Sequence, residues 1–147
     1  MHVYVDADAC PVKDETYRVA KRHGLKVTLV SNSRMRVPAE DWVELVVVQG
    51  DLDAADHWIA EHAEAGDVVI TADIPLAGRC LAKGAQVLGP RGEPFTEESI
   101  GDALATRELL AHLRESGAVG GGPPPFDKRD RSRFLHRLDE MLRRRDR

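Results

Sequence analysis

The chain has 147 residues, of which 42% are hydrophobic and 31% are charged. This balance is typical of one globular domain and excludes collagen-like, mucin-like and wholly disordered proteins. No apolar run approaches the roughly 18 residues that suggest a membrane-spanning helix, and the first residues lack the order of a secretory signal. We therefore expect a cytoplasmic protein with no membrane partner.

Charge is unevenly spread along the chain. The net charge is −4 at pH 7, but residues 127–147 contain nine Lys or Arg and five Asp or Glu. Residues 1–126 contain 12 Lys or Arg and 20 Asp or Glu, a net charge of −8. The sequence thus combines an acidic body with a basic tail, which suits phosphate contacts and equally suits a solvated helix face.

From residue 2 to residue 90 the sequence alternates short apolar runs with helical patterns. Five runs are predicted as strands: His2–Val5, Lys26–Val30, Glu44–Val48, Asp67–Thr71 and Ala85–Leu88. Helices are predicted from Pro11 to about His23, from Asp53 to about Ala65 and from Pro75 to about Gly84. Strands this apolar, separated by helices, predict an α/β fold: a three-layer sandwich with a mostly parallel five-stranded sheet.

Three further segments follow the fifth strand. Thr96 is a candidate cap for a helix that reaches about Glu115, and residues 117–126 are rich in glycine and proline. Residues 127–147 have helical spacing of apolar residues. We therefore divide the chain into an α/β domain at 1–116, a connector at 117–126 and a basic C-terminal helix at 127–147, expected to pack on the same domain.

Aspartates gather where the predicted strands end, which is where open α/β sheets bind ligands. They are Asp6 and Asp8 after the first strand, Asp51, Asp53 and Asp56 around the second helix start, and Asp73 after the fourth strand. Converging carboxylates repel one another unless a cation neutralises them, and oxygen ligands suit Mg²⁺ or Mn²⁺. Helix capping is the alternative for Asp8, Asp53 or Asp73 singly; it explains Asp6 and the whole set less well.

Other polar residues near the same strand ends are candidate substrate contacts. Lys13 lies just inside the first helix, Ser31 and Asn32 end the second strand, and Arg34 and Arg36 follow in the loop. Cationic side chains there are suited to phosphate, although exposed Lys and Arg are most often simply solvated.

Cysteine and histidine give little indication of a site. Cys10 and Cys80 form no CxxC pair, which predicts reduced thiols and no disulfide partner. Cys10 lies near a helix start, where the dipole can lower a thiol pKa, but a structural cysteine is the commoner case. His57 and His62 lack the HExxH pattern of zinc enzymes.

Two family resemblances rest on these motifs. The stretch Thr71-Ala-Asp73-Ile-Pro-Leu76, with Asp6 after the first strand and Asp56 in the preceding helix, resembles PIN-like nucleases. The whole chain resembles more closely the uncharacterised YaiI/YqxD bacterial family. That resemblance is carried by Val5-Asp6-Ala-Asp8-Ala-Cys10-Pro11-Val-Lys13, Gly50-x-x-Asp53-x-x-Asp56, Thr71-x-Asp73-x-Pro75-Leu76 and Pro125-Phe126…Asp130-Arg131…Phe134.

The PIN-like resemblance implies hydrolysis of RNA phosphodiesters with Mg²⁺ or Mn²⁺ as cofactor and RNA as partner. It implies catalytic roles for Asp6, Asp8 and Asp73. It implies metal ligation by Asp6, Asp56 and Asp73, with Asp53 as an additional ligand. It implies substrate contacts from Lys13, Ser31, Asn32, Arg34 and Thr71. In the tail, Asp127 stands where the YaiI/YqxD family usually has threonine, so any capping role there passes to an aspartate.

Two other functions remain open from the sequence. Val5-Asp6-Ala-Asp8 also resembles the nucleophile motif of haloacid-dehalogenase-type phosphatases, in which Asp6 would be the nucleophile and Asp8 the general acid. However, no lysine lies between Ser31 and Gly50 to supply the usual cation. The third possibility is a non-catalytic module that binds RNA or protein on a PIN-like frame.

Overall fold

The computed structural model describes residues 1–8, 10–51, 53–102 and 125–145. The strands are β1 His2–Asp6, β2 Lys26–Ser31, β3 Val43–Val47, β4 Val68–Ile70, β5 Gln86–Leu88 and β6 Pro94–Phe95. The helices are α1 Lys13–Arg22, α2 Ala54–His62, α3 Ile74–Ala82, a helical segment at residues 97–102 that we call α4, and α5 Lys128–Arg145.

The strands form one sheet in the order β3-β2-β1-β4-β5-β6. The first five are parallel, and β6 pairs antiparallel with β5. The prediction of a mostly parallel sheet is confirmed, but the predicted count of five strands is one short. The missed strand, Pro94–Phe95, has only two residues and so carries no periodic pattern to detect.

Apolar residues fill both faces of the sheet. In β1, Val3 and Val5 lie in a core with α1 and α5, while Tyr4 contacts a second core built from α2, α3 and Ile100 of α4. The same alternation continues in β4, where Val69 belongs to the second core. Because helices cover the sheet on both sides, the predicted three-layer α/β sandwich is confirmed.

The basic C-terminal helix α5 packs on the α1 side of the sheet. Phe134 and Leu138 are fully buried there, and burial of each such side chain stabilises the fold by about 1.5–3 kcal/mol. At its start, the Asp127 carboxylate accepts a hydrogen bond from the Asp130 N–H at 3.0 Å, and Asp130 accepts one from the Asp127 N–H at 3.0 Å. Asp127 therefore caps α5, as its position in the sequence predicts.

Three predicted helix boundaries are wrong, the third being the end of α3 at Ala82 rather than Gly84. Helix α1 begins at Lys13 rather than Pro11, because residues 11 and 12 form a turn. Helix α2 ends at His62 rather than Ala65: Ala63 has extended backbone angles, and the Asp67 carboxylate accepts a hydrogen bond from the Glu64 N–H at 2.9 Å. That side-chain bond offers the backbone a partner outside the helix.

Part of the sequence analysis falls on residues that the structure does not describe. Thr96 does cap α4, since its hydroxyl oxygen accepts a hydrogen bond from the Ser99 N–H at 3.0 Å. The predicted extent of that helix to Glu115 and most of the connector at 117–126 lie outside the described residues. No helix in the described parts of the chain has both the length and the apolar character needed to cross a membrane.

Candidate functional site

The order of strands reverses between β1 and β4, and this position is where open α/β sheets form a crevice at their carboxyl ends. Val5 pairs with Ile70, so Asp6 and Thr71 follow side by side. The Thr71 hydroxyl donates a hydrogen bond to Asp6 Oδ2 at 2.9 Å. Thr71 is 2% exposed, so this bond orients Asp6 from a buried and rigid position.

Asp73 is fixed by the turn that follows β4. Its backbone N–H donates to Thr71 Oγ1 at 3.0 Å, and its own Oδ1 accepts from the Leu76 N–H at 2.8 Å. The capping interpretation is therefore correct for Asp73, which starts α3 with Pro75 in the first turn. Capping uses one carboxylate oxygen and leaves the charge of Asp73 at the crevice.

Asp56 lies in the first turn of α2, reached through a sharp bend at Gly50, whose φ of 129° L side chains rarely adopt. The pKa of Asp56 is raised to about 7, first by burial and then by the charges of Asp73 and Asp6. A side-chain hydrogen bond to Asp73 acts in the same direction. The three carboxyl groups are therefore close enough to repel one another.

The pKa of Asp6 is also raised by burial and by neighbouring carboxylates. Burial raises its pKa, and the charges of Asp73 and Asp8 raise it further, while the hydrogen bond from Thr71 acts in the opposite direction.

Asp53 occupies the N-cap position of α2 but makes no side-chain capping bond, so the capping interpretation is wrong for this residue.

Asp8 ties the end of β1 to the end of β2. Its Oδ1 accepts a hydrogen bond from the Ser31 hydroxyl at 2.7 Å, and its Oδ2 accepts one from the Asn32 N–H at 2.9 Å. Ser31 is fully buried. The structure thus uses Ser31 and Asn32 to hold Asp8; their contact with a substrate stays a prediction.

Two cavities open at this edge of the sheet. The first, of about 110 Å³, is lined by Asp6, Asp8, Cys10, Ile70, Thr71, Ala72, Asp73 and Pro90. The second, of about 220 Å³, is lined by Asp53, Asp56, His57, Asp73, Pro75, Leu76 and Arg79. Asp73 lines both. We call the two together the acidic cleft.

Arg79 is the site residue that the sequence analysis missed. Its guanidinium donates a hydrogen bond to His57 Nδ1 at 2.9 Å, which joins α3 to α2 across the second cavity. A signal exists in the sequence, because Pro75 and Arg79 are four residues apart and share a helix face. It is visible only once Asp73 is known to begin that helix.

The three cationic candidates do not line the acidic cleft. Lys13 and Arg36 line a groove beside it, and Arg34 is exposed on the loop after β2. Cys10 does line the first cavity, but burial raises its pKa, opposite to the helix-dipole effect expected of a nucleophile. Cys80 is buried in the core and its pKa is raised to about 11.

The donor set of the acidic cleft is made of carboxylate oxygens, which suits Mg²⁺ or Mn²⁺. Within the described residues, no three His, Cys, Asp or Glu side chains are gathered closely enough to hold one metal ion as they stand. The residues therefore fit such an ion in chemistry and charge, and binding would require their side chains to converge further.

Comparison with known proteins identifies the family of the chain. Residues 4–144 match the sequence profile of a family described as Uncharacterized BCR, YaiI/YqxD family. A UPF0178 protein from Rhodopseudomonas palustris strain HaA2 is 57% identical over 142 residues, covering 97% of this chain and 87% of that protein. The chain belongs to the YaiI/YqxD family. The resemblance seen in the sequence is thereby confirmed for this family.

Other members of the YaiI/YqxD family are equally similar. UPF0178 protein amb2838 from Paramagnetospirillum magneticum is 58% identical over 140 residues, covering 95% of this chain and 93% of that protein. UPF0178 protein bll3966 from Bradyrhizobium diazoefficiens is 56% identical over 142 residues, covering 97% of this chain and 85% of that protein. These names state no activity, and no solved structure matches the chain.

Proposed function

We propose that this protein hydrolyses RNA phosphodiester bonds in the acidic cleft with the help of Mg²⁺ or Mn²⁺. One observation carries the proposal: Asp6, Asp56 and Asp73 meet at the strand-order reversal. Burial and the neighbouring carboxylates raise the pKa of Asp6, and they raise the pKa of Asp56 to about 7. Such repulsion is costly to a fold that gains nothing from it. A divalent cation removes it.

Asp6, Asp56 and Asp73 would hold the ion, with Asp53 as an additional ligand. When bound, Mg²⁺ or Mn²⁺ supplies a Lewis acid that acidifies water and neutralises charge on a phosphate. The residues of the chain itself provide orientation. Thr71 fixes Asp6 by the 2.9 Å hydrogen bond to Oδ2.

Arg79 and Asp8 have different tasks in this proposal. The Arg79 guanidinium lines the cavity that contains Asp56, so it is placed to contact the phosphate group of a bound strand. Asp8 holds the loop after β2 through Ser31 and Asn32, which makes it a positioning residue.

The same hydrogen bonds bear on the phosphatase alternative. That reaction would need Asp8 to transfer a proton. Both Asp8 oxygens already accept hydrogen bonds, from Ser31 and from Asn32, an arrangement that suits positioning better than proton donation. We therefore favour metal-dependent hydrolysis over an aspartyl-phosphate mechanism.

The test is calorimetric titration of Mn²⁺ and Mg²⁺ into the wild type and an Asp6→Asn/Asp73→Asn variant. The matched control is Glu61→Gln/Glu64→Gln, which removes two exposed carboxylates near the opposite end of α2. Cleavage of a labelled single-stranded RNA of mixed sequence is followed in parallel, with and without EDTA. We expect metal binding and EDTA-sensitive cleavage in the wild type and the control, and neither in the Asn variant.

Two outcomes would overturn the proposal. If the wild type binds neither cation, the aspartates serve the fold alone. If RNA binds without cleavage, and equally well in the Asn variant and the wild type, the protein is a binding module. Incorporation of radiolabelled phosphate from a phosphomonoester at Asp6 would instead favour the phosphatase.

A further inference from the structure

A basic groove lies next to the acidic cleft. It has a volume of about 320 Å³ and is lined by Lys13, Asp14, Tyr17, Arg36, Val37 and Pro38. One wall is formed by the first two turns of α1, and the other is the loop that joins β2 to β3. A space of about 300 Å³ is at the lower end of the range for small-ligand pockets, which is enough for one nucleotide-sized group. We call it the Lys13 groove.

The loop wall of the groove is held in place by the core. Met35 and Val37 are partly buried and pack against the core on the α1 side of the sheet, whereas Arg36 between them is exposed. The alternation anchors the backbone on both sides of Arg36 and leaves its guanidinium at the surface. Arg36 is thus presented by a fixed backbone.

The groove adjoins the acidic cleft at Cys10. Cys10 lines the first cavity, lies three residues before Lys13 and packs against the same core as Tyr17. Both sites also belong to the carboxyl side of the sheet, since α1 follows β1 and the loop wall follows β2. A chain molecule that occupies the cleft would therefore reach the groove next.

The chemistry of the Lys13 groove suits a nucleotide. Lys13 and Arg36 supply two cations against the single carboxylate of Asp14, whereas residues 1–126 as a whole carry a net charge of −8. Tyr17 offers a half-buried aromatic ring whose hydroxyl, like that of any tyrosine, is a hydrogen-bond donor at neutral pH; burial raises its pKa further, to about 12. Cations contact phosphate, and an aromatic ring stacks on an unpaired base.

We propose that the Lys13 groove binds the nucleotide adjacent to the one held in the acidic cleft, with Lys13 and Arg36 on its phosphate and Tyr17 against its base. This assignment rests on the proposed function and deepens it. It makes single-stranded RNA the substrate class, because a paired base cannot stack on Tyr17.

The test measures binding of a fluorescently labelled 12-nucleotide oligouridylate by anisotropy, in EDTA and in the Asp6→Asn/Asp73→Asn background. Cleavage then cannot consume the probe, whether or not the wild type is a nuclease. The variant is Lys13→Gln/Arg36→Gln. The matched control is Lys21→Gln/Lys26→Gln, which removes the same charge from exposed positions at the other end of α1 and at the start of β2.

We expect the groove variant to bind about tenfold more weakly than the control, with a slope of log affinity against log salt reduced by about 1.4, since each phosphate contact to a single strand contributes about 0.7. Tyr17→Leu should weaken binding at least about fivefold with an unchanged salt slope, as expected for stacking. Circular dichroism establishes that each variant is folded.

The failure of this inference is distinguishable from that of the proposed function. If the groove variant binds like the control while the wild type cleaves RNA, the groove assignment is overturned and the nuclease proposal stands. If the groove variant loses affinity and salt dependence as expected but the wild type never cleaves, the groove assignment holds and the nuclease proposal fails.

Discussion

The crowding of carboxylates in the acidic cleft can be tested without a substrate or a metal, by the stability of Asp56→Asn. The pKa of Asp56 is raised from 3.8 to about 7, so the folded chain holds this proton more tightly than the unfolded chain does. The contribution of Asp56 to stability is therefore most favourable below about pH 4 and is lost as the pH rises toward about 7. Asparagine carries no charge and keeps a donor for Asp73.

The size of the effect follows from the pKa. The difference between a pKa of 3.8 in the unfolded chain and about 7 in the folded chain corresponds to at most about 4 kcal/mol in the free energy of unfolding, at about 1.36 kcal/mol for each pKa unit. The Asp56 side chain still reaches water, and solvent screening lowers such values, so we expect about 1–2 kcal/mol. At pH 8 the Asp56→Asn variant should therefore melt about 3–6 °C above the wild type.

The assay is differential scanning calorimetry in EDTA at pH 4, 6 and 8, with Glu61→Gln as the control at the other end of α2. The gain from Asp56→Asn should be present at pH 8, smaller at pH 6 and absent at pH 4. Equal gains at pH 4 and pH 8 would point to better packing rather than to removal of a charge. No gain at pH 8 would refute the conclusion that the three carboxylates repel one another.

Two further predictions concern the residues that position the cleft and the C-terminal helix. Thr71→Val should destabilise the fold by about 1–3 kcal/mol in urea unfolding at pH 7, because the Asp73 N–H and Asp6 both lose a partner; an unchanged midpoint would mean that water replaces the hydroxyl. Hydrogen bonds from His23 and Arg22 lower the pKa of Asp139, so Asp139→Asn should destabilise at pH 7. The difference from the wild type should shrink as the pH falls below about 4, and a constant difference down to pH 2 would contradict this assignment.

The fold could be predicted from the sequence wherever the local residue pattern favours the same element that tertiary packing requires. The strand before Asp6 is apolar and ends in turn residues, and Asp73 with Pro75 marks the start of α3 by capping chemistry that needs no tertiary information. Strand β6 and the end of α2 were missed because contacts with other parts of the same chain determine them. Pro94 and Phe95 become a strand only by pairing with β5, and Glu64 leaves the helix to bond Asp67.

The candidate site divides in the same way. The proximity of Asp6, Asp56 and Asp73 was predictable because each lies at the end of a strand or at the start of a helix on one edge of the sheet. Arg79 and Tyr17 were missed, since each faces its cavity only after two elements pack together. Periodicity reports which face of a helix is apolar, but it does not report which neighbour the polar face meets.

The charge of the chain bears on both proposals. Residues 1–126 carry a net charge of −8, so the field around the cleft opposes the approach of a polyanion. Under the two proposals, RNA affinity comes from local compensation of that charge. A cation between Asp6, Asp56 and Asp73 compensates the cleft, and the Lys13 and Arg36 side chains supply positive charge in the adjoining groove. Because Met35 and Val37 anchor the loop wall of the groove to the core, the proposed groove contacts do not depend on a cation, and RNA affinity in EDTA tests them separately.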